Sequence, residues 1–127
     1  SGWDLVVNTP RFDSDYDSLI DMQNITDTTI YQGPYYFVTS WEAQNTTLFK
    51  RANYLDYNSI TKQEAVDAYT GGSMGISPNP LATGLAMGDV YVAKLRGNDE
   101  YAVILITNVV LTEFDDDDRI DFKYKKQ

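Results

Sequence analysis

The alternation of apolar and polar positions is clearest at the C-terminal end of the chain. Val90 to Leu95 (VYVAKL) reads as a strand, and Arg96-Gly97-Asn98-Asp99-Glu100 as the hairpin turn after it. Tyr101 to Leu111 (YAVILITNVVL) is apolar on both alternating faces as far as Ile106, which predicts a central strand covered on two sides. The stretch FDDDDR makes the next turn, and Arg119 to Tyr124 returns with Ile120, Phe122 and Tyr124 inward. Three strands in succession predict an antiparallel meander.

The earlier part of the chain alternates less regularly. Trp3 to Val7 predicts a short first strand. Phe12 to Leu19 predicts another, with Phe12 and Tyr16 on one face and Asp13, Asp15 and Asp17 on the other. Thr28 to Tyr31 is β-branched and ends at Gly33-Pro34, Tyr35 to Trp41 (YYFVTSW) is aromatic and β-branched, and Thr46 to Arg51 is weaker. One helix is marked by Thr61, three residues before Glu64 in capping-box spacing. Ala65, Val66 and Tyr69 share a face and Gly71 supplies a stop, so this two-turn helix must dock on something to persist. Residues 70 to 89 hold five of the eight Gly and two of the four Pro, the pattern of a long loop. The expected fold is mainly β: an antiparallel sheet or sandwich with a C-terminal meander and one short helix, in a single domain over residues 1–127.

Charge narrows the functions. The net charge is −9, residues 1 to 31 hold six Asp against Arg11 alone, and Asp115 to Asp118 form a second block. Such a surface repels phosphate backbones and anionic membrane, although Lys123, Lys125 and Lys126 give a small basic tail. Cysteine and histidine are absent, which removes thiol nucleophiles, disulfides, Cys/His zinc sites and the usual general base near neutral pH. Ten Tyr, with many Asn, Thr and Ser, lean towards an extracellular β-domain. The chain opens at Ser1-Gly2 without an initiator Met, as a processed or engineered piece does, so any export signal or lipid anchor would lie upstream of it.

Candidate chemistry is sparse. Counting Asp13 as position 1 of an EF-hand-type loop places Asp15, Asp17 and Asp21 at positions 3, 5 and 9, where calcium takes oxygen ligands. Ser18 stands where the loop wants Gly, and Asn24 where a bidentate Glu should close the cage. The solvated face of a strand explains the same letters without a metal, and the balance favours it. Asp115 to Asp118 could attract a cation, or simply be solvated in a turn. No two carboxylates are singled out for glycoside hydrolysis, so no enzyme is expected. Met74 and Met87 lie in the glycine-rich stretch and Met22 beside the first acidic cluster; a thioether is a soft ligand that can serve haem iron. Two sequons, at Asn24 and Asn45, suggest exposed segments.

WDL near the start, GPYYFVTS, the short helix, the glycine-rich loop, GDVYVAKL, GNDEYAVILITNV and DRIDFKYK together resemble the HmuY-like exported lipoproteins of Bacteroidetes. The resemblance is strongest over Gly88 to Tyr124 and at Trp3 to Val7. It implies a non-catalytic binding protein at the outer surface of a bacterium or secreted from it, anchored to membrane, if at all, only by a lipid upstream. It implies haem, or a similar flat apolar ligand, held under the 70 to 89 loop by Met74 and Met87, with Tyr35, Tyr36 and Trp41 as stacking walls. The chain departs from the family in having no His and in lacking, as far as the sequence shows, its extra N-terminal strands. A surface interaction module that meets an outer-membrane partner protein, with calcium at Asp13, Asp15 and Asp17, is the alternative. A glycan-binding module is the weaker one.

Overall fold

The structure, a computed structural model, describes residues 2–11, 17–27, 36–71, 77–110 and 119–127. Its elements are β1 (Gly2–Asp4), β2 (Thr9–Arg11), β3 (Met22–Asp27), β4 (Tyr36–Ala43) and β5 (Leu48–Arg51), then α1 (Lys62–Thr70). They continue with β6 (Leu81–Ala82), β7 (Val90–Lys94), β8 (Tyr101–Val110) and β9 (Arg119–Lys126). Two antiparallel sheets result, ordered β2-β1-β3-β4-β6 and β5-β7-β8-β9. The fold is mainly β, in the form of a sandwich.

The alternation in the meander explains how the layers stack. Tyr91 and Ala93 of β7, Ala102, Ile104 and Ile106 of β8, and Ile120 of β9 face the first sheet, where Met22, Trp41 and Ala43 meet them. Val90, Val92, Tyr101 and Val103 point the other way and are covered by Ala65, Ala68 and Tyr69 of α1. β8 is therefore buried on two faces, as its unbroken apolar run predicts. The helix starts where the capping box places it: Glu64 N–H donates to the Thr61 hydroxyl, and Thr61 N–H donates to the Glu64 carboxylate.

Several expectations are corrected. The first strand stops at Asp4, because Asp4 Oδ1 accepts the N–H groups of Val6 (3.0 Å) and Val7 (3.1 Å) and folds residues 5–8 into a turn. Asn8, at φ 56°, completes it. Asp17–Leu19 is a turn of 3₁₀ helix, so the strand expected over Phe12 to Leu19 does not extend to Leu19; residues 12–16 lie outside the described residues, as does the strand expected over Thr28 to Tyr31. β3 falls on a stretch whose pattern predicts no strand. The stretch from 70 to 89 is not loop throughout, since β6 pairs with Trp41 and Glu42, and Asn79 bridges Phe49.

Two tight turns lie side by side at one end of the sandwich. Thr47 N–H donates to Gln44 O across Asn45 and Thr46, and Asn98 N–H donates to Leu95 O across Arg96 and Gly97. All four central residues have positive φ, the habit of type I′ turns. Gly97 suits this geometry, and a Cβ there would lie 3.4 Å from the Thr46 hydroxyl. Thr46 does not suit it, because a β-branched side chain at φ 59° is strained. Thr46→Gly is expected to raise unfolding stability by about 0.5–1 kcal/mol, the relief of strain exceeding the added entropy of the unfolded chain. Urea denaturation measures this directly. A loss of stability would mean that the Thr46 hydroxyl, which donates to Asn45 O at 2.6 Å, outweighs the strain.

Candidate functional site

The same end of the molecule carries a closed charge cluster. Arg96 rises from its strained hairpin position and donates Nε to Asp21 Oδ1 at 2.7 Å and Nη2 to Asp21 Oδ2 at 3.0 Å. Its Nη2 also reaches Asp4 Oδ1 at 3.1 Å, and Arg11 Nη2 holds Asp4 Oδ2 at 2.8 Å. Leu5 N–H donates to Asp21 Oδ2, and Thr47 braces Arg96 by accepting its backbone N–H. The side chains of Asp21 and Asp4 are 0% and 2% exposed, that of Arg96 25%. Burial alone would push the Asp4 carboxyl up. Arg11, the Val7 N–H, the Arg96 charge and the Val6 N–H together outweigh it and hold Asp4 below the usual carboxylate value. Two carboxylates and two guanidiniums balance, so this cluster is a clamp joining the two sheets, with no charge left over for a ligand.

Next to the clamp the sandwich stays open. An open cleft of about 450 Å³ has Trp3 and Asn8 on one side and residues 120–124 of β9 on the other. Successive residues of a strand point to opposite faces. A space that touches five in succession therefore runs along the edge of β9. The floor is aromatic: Trp3 packs edge-on to Phe122 at 5.4 Å between ring centroids, and Tyr124 lies 6.4 Å from Phe122. A smaller hollow of about 170 Å³ shares Trp3, Ile120 and Phe122 and reaches inward to Met22 and Trp41. Tyr124 spans the cleft by donating its hydroxyl to Leu5 O at 3.0 Å. Burial, with the charges of Asp4 and Asp21, pushes that hydroxyl above its usual pKa, so it works as a neutral donor.

The residues singled out from sequence are distributed differently. Trp41 lies in the core, 2% exposed, with its ring 5.2 Å from Phe122 and 6.5 Å from Phe49, and touches the smaller hollow only from below. It thus borders the smaller hollow from within the core. Tyr36 begins β4, and Tyr35 lies outside the described residues. Met87 is 71% exposed and lines neither hollow; Met74 lies outside the described residues. The loop carrying Met87 is firmly tied, with Leu85 N–H on Thr39 O, Gly88 N–H on Ile106 O and Ala86 N–H on Asp89 Oδ2. The described residues thus bring no pair of thioethers to opposite walls of a cavity.

Among the candidate calcium ligands, Asp13 and Asp15 lie outside the described residues and Asp17 opens the 3₁₀ turn. Asp21 faces the interior and gives both oxygens to Arg96 and one also to Leu5 N–H, which makes it a partner of the clamp. Among the described residues no group of three or more carboxylates converges as a metal site. The block Asp115 to Asp118 lies outside them. Of the sequons, Asn24 is exposed on β3, whereas Asn45 donates its amide to Ile20 O at 2.6 Å.

Sequence reasoning found the inward set Ile120, Phe122 and Tyr124 but not the cleft they line. The signal for it is the meander's last strand, which among the described residues has a neighbour on one side and which carries a run of lysines. Comparison with known protein families, curated proteins and solved structures found no match.

Proposed function

We propose that the protein is a non-catalytic interaction domain on the outside of a bacterial cell, engaging a partner protein through the aromatic cleft beside β9. The observation that carries this reading is the cleft itself: an open, aromatic-floored space along a strand edge, beside a rigid charge clamp. Rigid flanks and half-exposed aromatics suit recognition, because they contribute contact area with little entropy to lose. The resemblance to HmuY-like exported lipoproteins supports the cellular setting.

The chain has no cysteine of its own, so Asp121→Cys provides a unique attachment point inside the cleft for a photo-crosslinker. On intact cells the expected result is one dominant adduct from position 121 and none from Asn53→Cys, an exposed position that does not line the cleft. The captured protein, once purified, should bind the unmodified chain saturably. Equal adducts from both positions, or no binding by the purified protein, would sink the reading.

Capture of a flat apolar ligand such as haem is the second reading, and the aromatic Trp3–Phe122–Tyr124 floor is the observation that favours it. Haemin titration separates the two. A saturable Soret shift that survives Met74→Ala with Met87→Ala would put the ligand in the cleft, whereas a shift lost in that double variant would put it under the 70 to 89 loop. An absorbance change that never saturates removes haem.

A further inference from the structure

We infer that the cleft is a strand-accepting groove, and that its occupant is an extended peptide alternating apolar and acidic residues, added antiparallel or parallel to β9. This rests on the interaction-domain reading and specifies its partner.

The backbone comes first. Among the described residues β9 pairs with β8 alone and ends its sheet, so every second residue turns its N–H and C=O groups away from the protein's own strands. The cleft follows that side of residues 120–124. Five residues of strand offer about 17 Å of edge, enough for a short peptide to make several main-chain hydrogen bonds.

The side chains then specify the pattern. On the inner face, Ile120, Phe122 and Tyr124, with Trp3 opposite, offer an apolar surface to alternate residues of an added strand. On the outer face, Lys123 and Lys125 sit two residues apart and lay their ammonium groups against the Tyr57 ring, at 5.0 and 4.6 Å from its centroid. Neither makes an ion pair with a described residue. Carboxylates on the outward residues of an incoming strand would be their direct cross-strand neighbours.

The bland alternative is that lysines guard an edge against pairing. Here both ammonium groups lie against Tyr57 on the outer face, and a cleft still follows residues 120–124, Lys123 among its lining. A second copy of this chain is a poorer occupant, because each antiparallel self-pairing of β9 that brings Asp121 beside a lysine also sets a like-charged pair, Arg119 with Lys125 or Lys123 with itself. Carboxylates opposite both Lys123 and Lys125 avoid this, which favours a partner of opposite charge.

The test uses the whole chain and a labelled seven-residue peptide alternating valine and glutamate, below the concentration at which it self-associates. Fluorescence anisotropy should show saturable binding, and hydrogen exchange should slow within residues 119–126. Two peptides N-methylated on alternate residues, one in each register, serve as controls; the one that blocks the pairing N–H groups should bind at least about tenfold more weakly. A lysine-for-glutamate peptide should fail on the natural chain and bind the Lys123→Glu/Lys125→Glu variant, in which an exposed and a half-buried lysine are reversed in charge. Equal binding by both N-methylated peptides, slowed exchange only elsewhere, or no charge preference would overturn the inference. If no peptide binds while position 121 still yields its single adduct, strand addition fails and the interaction-domain reading stands. If both are silent, both fail.

Discussion

Replacing Arg96 with alanine is expected to destabilise the protein by about 3–5 kcal/mol, because it leaves Asp21 fully buried without its counter-charge. Much of that loss is the penalty of a stranded carboxylate, and the rest is the lost fork of hydrogen bonds. Arg96→Gly isolates the charge effect, since glycine accepts the positive φ of position 96 that alanine resists. Arg96→Lys should recover only part, a point charge being unable to bridge Asp21 and Asp4 together. The diagnostic result is non-additivity: Asp21→Asn placed on Arg96→Gly should cost far less than it does alone. Additive losses would mean that the clamp is not a coupled unit.

The clamp also sets the acid limb of stability. Asp4 binds a proton less readily folded than unfolded, so its contribution is fully present above the unfolded pKa of about 3.8. As the pH falls through the lower folded value, that contribution is lost. Urea midpoints followed from pH 7 downward should therefore fall most steeply below about pH 4, and Asp4→Asn should flatten that part of the curve.

The second large effect is expected at Trp41. Trp41→Ala removes the indole that meets Phe122 edge-on and Phe49 at a tilt, and that links β4 to both edge strands of the opposing sheet. The expected cost is about 3–5 kcal/mol, the range for deleting a large buried aromatic. Since a domain of this size has few such energies to lose, the milder Trp41→Phe provides the folded comparison. Intrinsic fluorescence with urea titration reads both. If Trp41→Ala lost less than about 1 kcal/mol, the ring would not be holding the sheets together.

How much was legible from sequence depends on where each structural decision is made. The meander and α1 are decided locally, by alternation over Val90 to Tyr124 and by the Thr61–Glu64 box, and both appear as read. β3 is not decided locally. Its letters MQNITD are mostly polar, and β1 on one side and β4 on the other make it a strand. β6 likewise exists only because β4 pairs with it.

The same distinction explains the site. Asp4 and Asp21 read as part of an acidic surface, and Asp21 as a calcium ligand, because the residue that buries them lies 92 and 75 positions away. Ile120, Phe122 and Tyr124 read correctly as inward-facing, yet inward-facing does not mean covered. Whether a sandwich closes at its edge depends on where the sheets part, and no residue pattern in one strand encodes that.

The clamp has a consequence for how the chain reaches this shape. Arg96 is separated from both of its carboxylate partners by most of the sequence, the kind of contact that slows folding. During synthesis, β1 and β3 can pair early, but Asp4 and Asp21 have no Arg96 until the chain has grown 75 residues beyond Asp21. Until then the N-terminal sheet must hold Asp21 in water or unfold around it. Locking of that sheet is therefore a late event, timed by the arrival of the β7–β8 hairpin.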